Sequence, residues 1–110
     1  MAAGVNRVLL IGVIGKRGIE VKYGTGGGAT ASFHLAVAET WADGTTHLAY
    51  FPTEVVGKHA ERAAELAPGT AVVVDGRLVR RKRGETWETQ IVCWDLPTIS
   101  VPALAIEAAS

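Results

Sequence analysis

Arg77, Arg80, Arg81, Lys82 and Arg83 place five of the chain's eleven cations within seven positions, in a protein whose formal charge sums to zero. With the total balanced, the informative quantity is the local field around that run. Counted by parity, Val72, Val74 and Leu78 suit the inside of a barrel, Asp75, Arg77, Arg81 and Arg83 face the other way, and Arg80 and Lys82 continue the inward set. Four consecutive cations cannot be buried without partners. Beyond Val79 the segment must therefore leave the core as an arm, solvated on both faces, which turns at Gly84-Glu85 and returns through "TWETQIVCWDL".

A solvated charge run also suits a strand edge protected against aggregation. The aromatic residues argue for more. Trp41, Tyr50 and Trp87 lie near strand ends or hairpin flanks, where a large ring is hard to bury completely. Cations that follow phosphates, combined with rings that stack on bases at roughly 1–3 kcal/mol each, are the requirements of sequence-independent single-stranded nucleic-acid binding. Duplex readers more often present a helix, and the one helical segment here is not basic. Trp94, on the opposite parity to Trp87, is expected in the core or at a subunit contact.

Other chemistry finds little support. Gly24, Gly26 and Ala29 fit a loose dinucleotide pattern, but the strand-like "TASFHLAV" follows where a helix N-terminus would be needed. No phosphate-binding G-x-x-x-x-G-K-[ST] run is present. His34, His47 and His59 share no metal spacing, and Ser32 and Ser100 sit in no nucleophile-elbow context. The single Cys93 has no partner for an intramolecular disulfide, which fits a reducing cytoplasm. No catalytic residue, metal or cofactor is expected.

The elements that must position the arm and the rings follow from pattern. At 110 residues, 48% hydrophobic, the chain suits one domain with its own core. The opening "MAAGVNRVLLIGVIGKR" imitates a secretory signal, yet Lys16 and Arg17 close the run where a small-residue cleavage site belongs, and no run reaches membrane-spanning length. Residues 5–15 read as a strand that bends at its glycines, "IEVKY" as a short second stretch, 23–30 as a glycine-rich turn and 30–41 as a strand with Phe33, Leu35 and Val37 on one face. Asp43-Gly44 signals a hairpin whose return, 47–57, carries Pro52 and so lies at an edge or holds a bulge. A helix over 58–67 is stopped by Pro68-Gly69, and strands over 70–83 and 86–96 follow. This order predicts an all-β fold: a five-stranded oligonucleotide/oligosaccharide-binding (OB) barrel with one short α-helix between the third and fourth strands, the fourth and fifth projecting as the arm. The barrel is expected over residues 1–100, and 101–110 as a short tail without an acidic tip.

Three stretches carry a resemblance to a known family: the opening V-N-[RK]-V-x-L-x-G, the Gly57-Lys58 pair before the helix, and G-[RQ]-L-x-x-R-K from Gly76 to Lys82. Over residues 4–96 the chain resembles the bacterial single-stranded DNA-binding proteins. That resemblance implies an OB barrel, homotetrameric in preference to dimeric, which binds single-stranded DNA without sequence preference in replication, recombination and repair, with proteins of those processes as further partners. It implies stacking by Trp41 and Tyr50, with Trp87 near the aromatic that follows the arm, and phosphate contacts from Arg7, Lys58 and Lys82. With the arm's own cations, the expected interface is Trp41, Tyr50, Trp87, Arg7, Lys58, Arg77, Arg80, Arg81, Lys82 and Arg83.

Tyr50-Phe51-Pro52 departs from the family's common Trp-His-Arg, Val56 stands for a stacking phenylalanine, and Arg83 stands for a ring. Fewer rings and more charge imply weaker binding with a steeper salt dependence than a typical member. The stop at Ser110, with Glu107 alone acidic in the tail, also resembles primosomal replication protein B, which implies the alternative of a dimeric adapter in replication restart that binds proteins as well as single-stranded DNA.

Overall fold

The apolar opening segment becomes strand β1 (Val8–Ile14) of the computed structural model, which describes residues 4–99. After it come β2 (Glu20–Tyr23), β3 (Ala29–Thr40), β4 (Thr46–Val56), the short helix α1 (Ala60–Ala63), β5 (Ala71–Arg83) and β6 (Thr86–Cys93). β1 pairs with β5 along Val8–Val13 and then with β3 at Val13 and Ile14. This change of neighbour closes the sheet β1-β5-β6-β4-β3 into a five-stranded barrel, to which β2 adds as a short flap on β3. The change falls just past Gly12, where a Cβ would collide with the carbonyl oxygen of Ala36. β4 and β6 run parallel through Thr53–Val55 and Ile91–Cys93.

The expected inward sets meet inside the barrel: Phe33 and Leu35 of β3, Val72 and Val74 of β5, Ile91 and Cys93 of β6, with Ile14 and Val55. Burying Cys93 pushes its thiol up to about 11, so it stays protonated and inert. Pro52 pairs with His34 on one side and lies one residue before the β6 ladder begins at Thr53, the edge position its missing N–H requires. No described helix is long and apolar enough to cross a membrane.

Beyond shifts of a residue at several strand ends and a last strand that stops at Cys93 instead of residue 96, three features differ from expectation. β1 starts at Val8, because Asn6 ties the chain to β5 with its side chain: the amide donates to the Leu78 carbonyl at 2.8 Å and accepts from the Leu78 N–H at 2.9 Å. The helix is one turn, not the ten residues of 58–67. Beyond Ala63 the N–H groups of Glu65 and Leu66 reach back only three residues, and the tightened chain delivers Gly69 and Thr70 to Ile14, where Gly69 N–H donates to the Ile14 carbonyl and Ile14 N–H to that of Thr70. Leu78 is not interior; it is 46% exposed, since β1 ends its strand pairing at Val8–Gly76 and, among the described strands, only β6 pairs with β5 thereafter. The arm begins at Arg77, three residues earlier than expected. The tail at 101–110 lies outside the described residues.

Candidate nucleic-acid interface

The barrel's outer face follows from register. In the β3–β4 ladder Ser32 faces Glu54, His34 faces Pro52 and Ala36 faces Tyr50, so His34, Glu54 and Tyr50 stand outward together. β2 adds Glu20 and Lys22 on one side; Arg81, Arg83 and Glu88 of the arm rise on the other. Between these walls runs an open groove of about 890 Å³ floored by Ser32, His34, Pro52 and Gln90. Its charges are mixed. Arg81 Nη1 lies 2.9 Å from Glu54 Oε1, and Arg83 Nε 3.3 Å from Glu88 Oε2. Glu54 is only 6% exposed, so the pair pins the arm's base to β4 and Arg81 cannot leave without stranding a buried carboxylate.

The arm's other face carries different partners. Lys82 stands opposite Trp87, and the Arg80 guanidinium lies 5.8 Å from the centre of the Trp87 ring, within cation–π range. Among the described residues neither Arg80 nor Lys82 has a carboxylate within 4 Å. Arg77 behaves like Arg80, covering Trp94 at 5.7 Å. Trp94, expected in the core or at a subunit contact, is 50% exposed on the outer surface, so the core reading is corrected: β6 ends at Cys93 and the barrel offers that ring no inward site.

Trp41 sits at the tip of the β3–β4 ribbon, stacked on His47 with centroids 3.9 Å apart and planes at 30°. The tip is fixed by Asp43, which accepts from the Thr45 N–H at 2.9 Å and hydroxyl at 2.6 Å, and these bonds lower its carboxyl pKa. His47 and Tyr50 are three residues apart on one strand, so Trp41 and Tyr50 occupy opposite faces of the ribbon. The expected residues thus fall into separate groups. Arg80, Lys82 and Trp87 share one face of the arm; Arg81 and Arg83 border the groove, with Tyr50 beyond it on the far side of His34; Trp41 is at the tip. Lys58 lies round the corner past Tyr23, near Glu61 and Glu65. Arg7 is engaged by Asp75 in a two-pronged pair at 3.0 and 2.8 Å, which holds the aspartate below its ordinary pKa.

Sequence reasoning missed Lys22, His34, Glu54 and the Lys16-Arg17 turn. For the turn a signal existed, since two cations stand between glycines in "GKRG". For Glu54, one acid within the apolar run "YFPTEVV" was the only sign.

A five-stranded barrel with a cationic hairpin beside an open outer groove is the OB class of ligand-binding domain. The model of the single-strand binding protein family matches residues 5–94, and the chain belongs to that family. Among solved structures it is similar to a deletion mutant of the single-stranded DNA-binding protein from Thermus aquaticus, at 30% identity and a TM-score of 0.72 over 91% of this chain. The chain spans about half of that one, 53%. It is also similar to the SSB of Plasmodium falciparum in complex with single-stranded DNA, at 25% identity and a TM-score of 0.78, covering 91% of this chain and 99% of the other.

Proposed function

We propose that this protein binds single-stranded DNA without sequence preference, holding phosphates with the arm and groove cations and stacking bases on Trp41, Tyr50 and Trp87, as a binding protein of DNA replication, recombination and repair. The observation that carries the reading is the arm: Arg80 and Lys82, without a carboxylate partner among the described residues, share a face with a tryptophan that is 56% exposed. Trp41 and Trp87 each have one ring face covered, by His47 and by Arg80, and the uncovered face suits a base. Titration with oligo-dT tests it: tryptophan fluorescence is quenched on binding, and log affinity falls with log salt by roughly 0.7 per phosphate neutralised. Unquenched fluorescence, or affinity indifferent to salt, sinks the reading. The family match does not favour the dimeric restart adapter.

Self-association belongs to the same proposal. Among the described residues β1 pairs from Val8 to Gly12 with β5 alone, leaving its other edge open there, and Leu9 and Ile11 beside it are 62% and 54% exposed. An open edge flanked by apolar side chains suits a second copy of the chain. A tetramer by mass in solution, and dissociation of the Ile11→Lys variant, are the expected results; a monomer at micromolar concentration overturns this part. The lone, inert, buried Cys93 supports a reducing cytoplasm.

A further inference from the structure

Among the described residues, the turn between β1 and β2 carries a second concentration of positive charge without an ion-pair partner. Gly18 N–H donates to the Gly15 carbonyl at 2.9 Å, closing a β-turn with Lys16 and Arg17 as its two central residues. Gly18 ends it at φ +75°, which a side chain would strain. Gly15 N–H in turn donates to the His34 carbonyl at 2.9 Å, so the turn is fastened to the barrel wall. Between it and the outer face lies a pocket of about 350 Å³, lined by Gly15, Lys16, Arg17, Gly18, His34 and Tyr50, a size that suits one small ligand.

The lining has two exposed cations, an imidazole and a phenol ring, and no carboxylate. Among the described residues neither Lys16 nor Arg17 comes within 4 Å of an acid. The main groove differs, since its Arg81 and Arg83 are already engaged by Glu54 and Glu88. The pocket and groove share Arg17, Gly18 and His34, so they are continuous. A strand leaving the groove away from the arm passes directly into the pocket.

We infer that the β1–β2 turn pocket is a one-nucleotide subsite, in which Lys16 and Arg17 hold a single phosphate and the exposed Tyr50 ring stacks on its base. The inference rests on the proposed single-stranded DNA binding and adds where the strand ends its path across the barrel. The ligand chemistry is a phosphate linked to an aromatic base. A free anion could use the same two cations, so the test separates the two sources.

In the full chain, Lys16→Gln/Arg17→Gln is expected to lower the log–log salt slope for oligo-dT by about 0.7, the share of one phosphate. Arg62→Gln, a charge loss on the helix away from the groove, leaves the slope unchanged. Tyr50→Ala weakens binding roughly 5- to 150-fold, and Tyr50→Phe, which keeps the ring, does not. Because one nucleotide touches both halves of the pocket, combining Tyr50→Ala with the double variant costs several-fold less than the product of the separate losses, whereas combining Trp87→Ala with it gives the full product. Inorganic phosphate at constant ionic strength does not displace oligo-dT. If the wild type fails to bind oligo-dT at all, the DNA-binding reading falls and this one with it. If the wild type binds but the double variant keeps its slope, or its losses multiply with those of Tyr50→Ala, the subsite alone is overturned. Displacement by inorganic phosphate that the double variant abolishes marks a free-anion site and likewise overturns it.

Discussion

Two ribbons project from this barrel, and each carries one tryptophan exposed to the same extent, 56%: Trp41 on the β3–β4 tip and Trp87 on the β5–β6 arm. Their settings are opposite in charge. The tip from Ala38 to Leu48 holds Glu39 and Asp43 and no Lys or Arg, while the arm holds five cations against Glu85 and Glu88. Each ring is braced on one face by a neighbour, Trp41 by stacking on His47 and Trp87 by the Arg80 guanidinium. Ring exposure and local field have therefore been set independently on one scaffold. If both ribbons touch a strand, the tip contributes stacking alone and the arm contributes stacking plus charge, two terms that salt separates.

The strongest way to break the comparison is to strip the arm. Arg80→Ala/Lys82→Ala/Arg83→Ala removes three cations, and at roughly 0.7 per phosphate the salt slope falls by about 2 if each met one. Binding measured from about 50 to about 200 mM salt reads this directly. A fall of only about 1.4 would mean that Glu88 already neutralises Arg83 in the complex as it does in the free protein. The ring variants come next. Trp87→Ala and Trp41→Ala each weaken oligo-dT binding by about 1–3 kcal/mol and leave the slope nearly unchanged. A Trp41→Ala variant that flattens the slope would show that the tip is not a purely stacking element.

A subtler test concerns Arg81, which the fold has already committed. Arg81→Met leaves the Glu54 carboxylate buried without its cation and lowers stability by about 1–3 kcal/mol, read as a shift in the urea midpoint. The same change in a Glu54→Gln background costs less, because no charge is stranded. Glu54→Gln alone frees the guanidinium for phosphate: oligo-dT binding tightens and the slope rises by up to about 0.7. Unchanged binding in that variant would assign Arg81 to the fold alone.

The buried sets and the arm were legible because alternation is a local property: Val72 and Val74, Phe33 and Leu35, Ile91 and Cys93 all face inward as their parity demands. Four adjacent cations likewise permit one reading whatever the tertiary context. The length of the arm was not legible, because Leu78 has the right parity for the core and is exposed only because β1 runs out opposite Gly76. The helix was overestimated from its alanines, since local propensity does not include the bonds that draw Gly69 and Thr70 back to Ile14. Ion pairing was the least legible. Arg7 meets an acid 68 positions away and Arg81 one 27 away, so the run that reads as a uniform positive patch is partly neutralised by a residue distant in the chain.

The smallest effect separates the two regions by what holds them. Asp75 and Asp43 both have carboxyl pKa values lowered from 3.8, the first by its hydrogen bonds from Arg7 and the second by those from Thr45. A folded pKa below the unfolded value contributes stability that is fully present above about pH 4 and is lost as pH falls through the folded value. Both groups therefore add to the acid limb of unfolding, modestly, because both are solvent-exposed. Salt divides them. The Arg7–Asp75 pair is ionic, so the difference between wild type and Asp75→Asn at pH 7 should shrink when salt is raised to 0.5 M or so, where the screening length is only a few ångströms. The Asp43 bonds come from a neutral N–H and a neutral hydroxyl, so the cost of Asp43→Ala should persist in the same salt. Urea midpoints for the two variants in low and high salt make the comparison, and equal salt sensitivity would dissolve the distinction between a hydrogen-bonded tip and an ion-paired arm base.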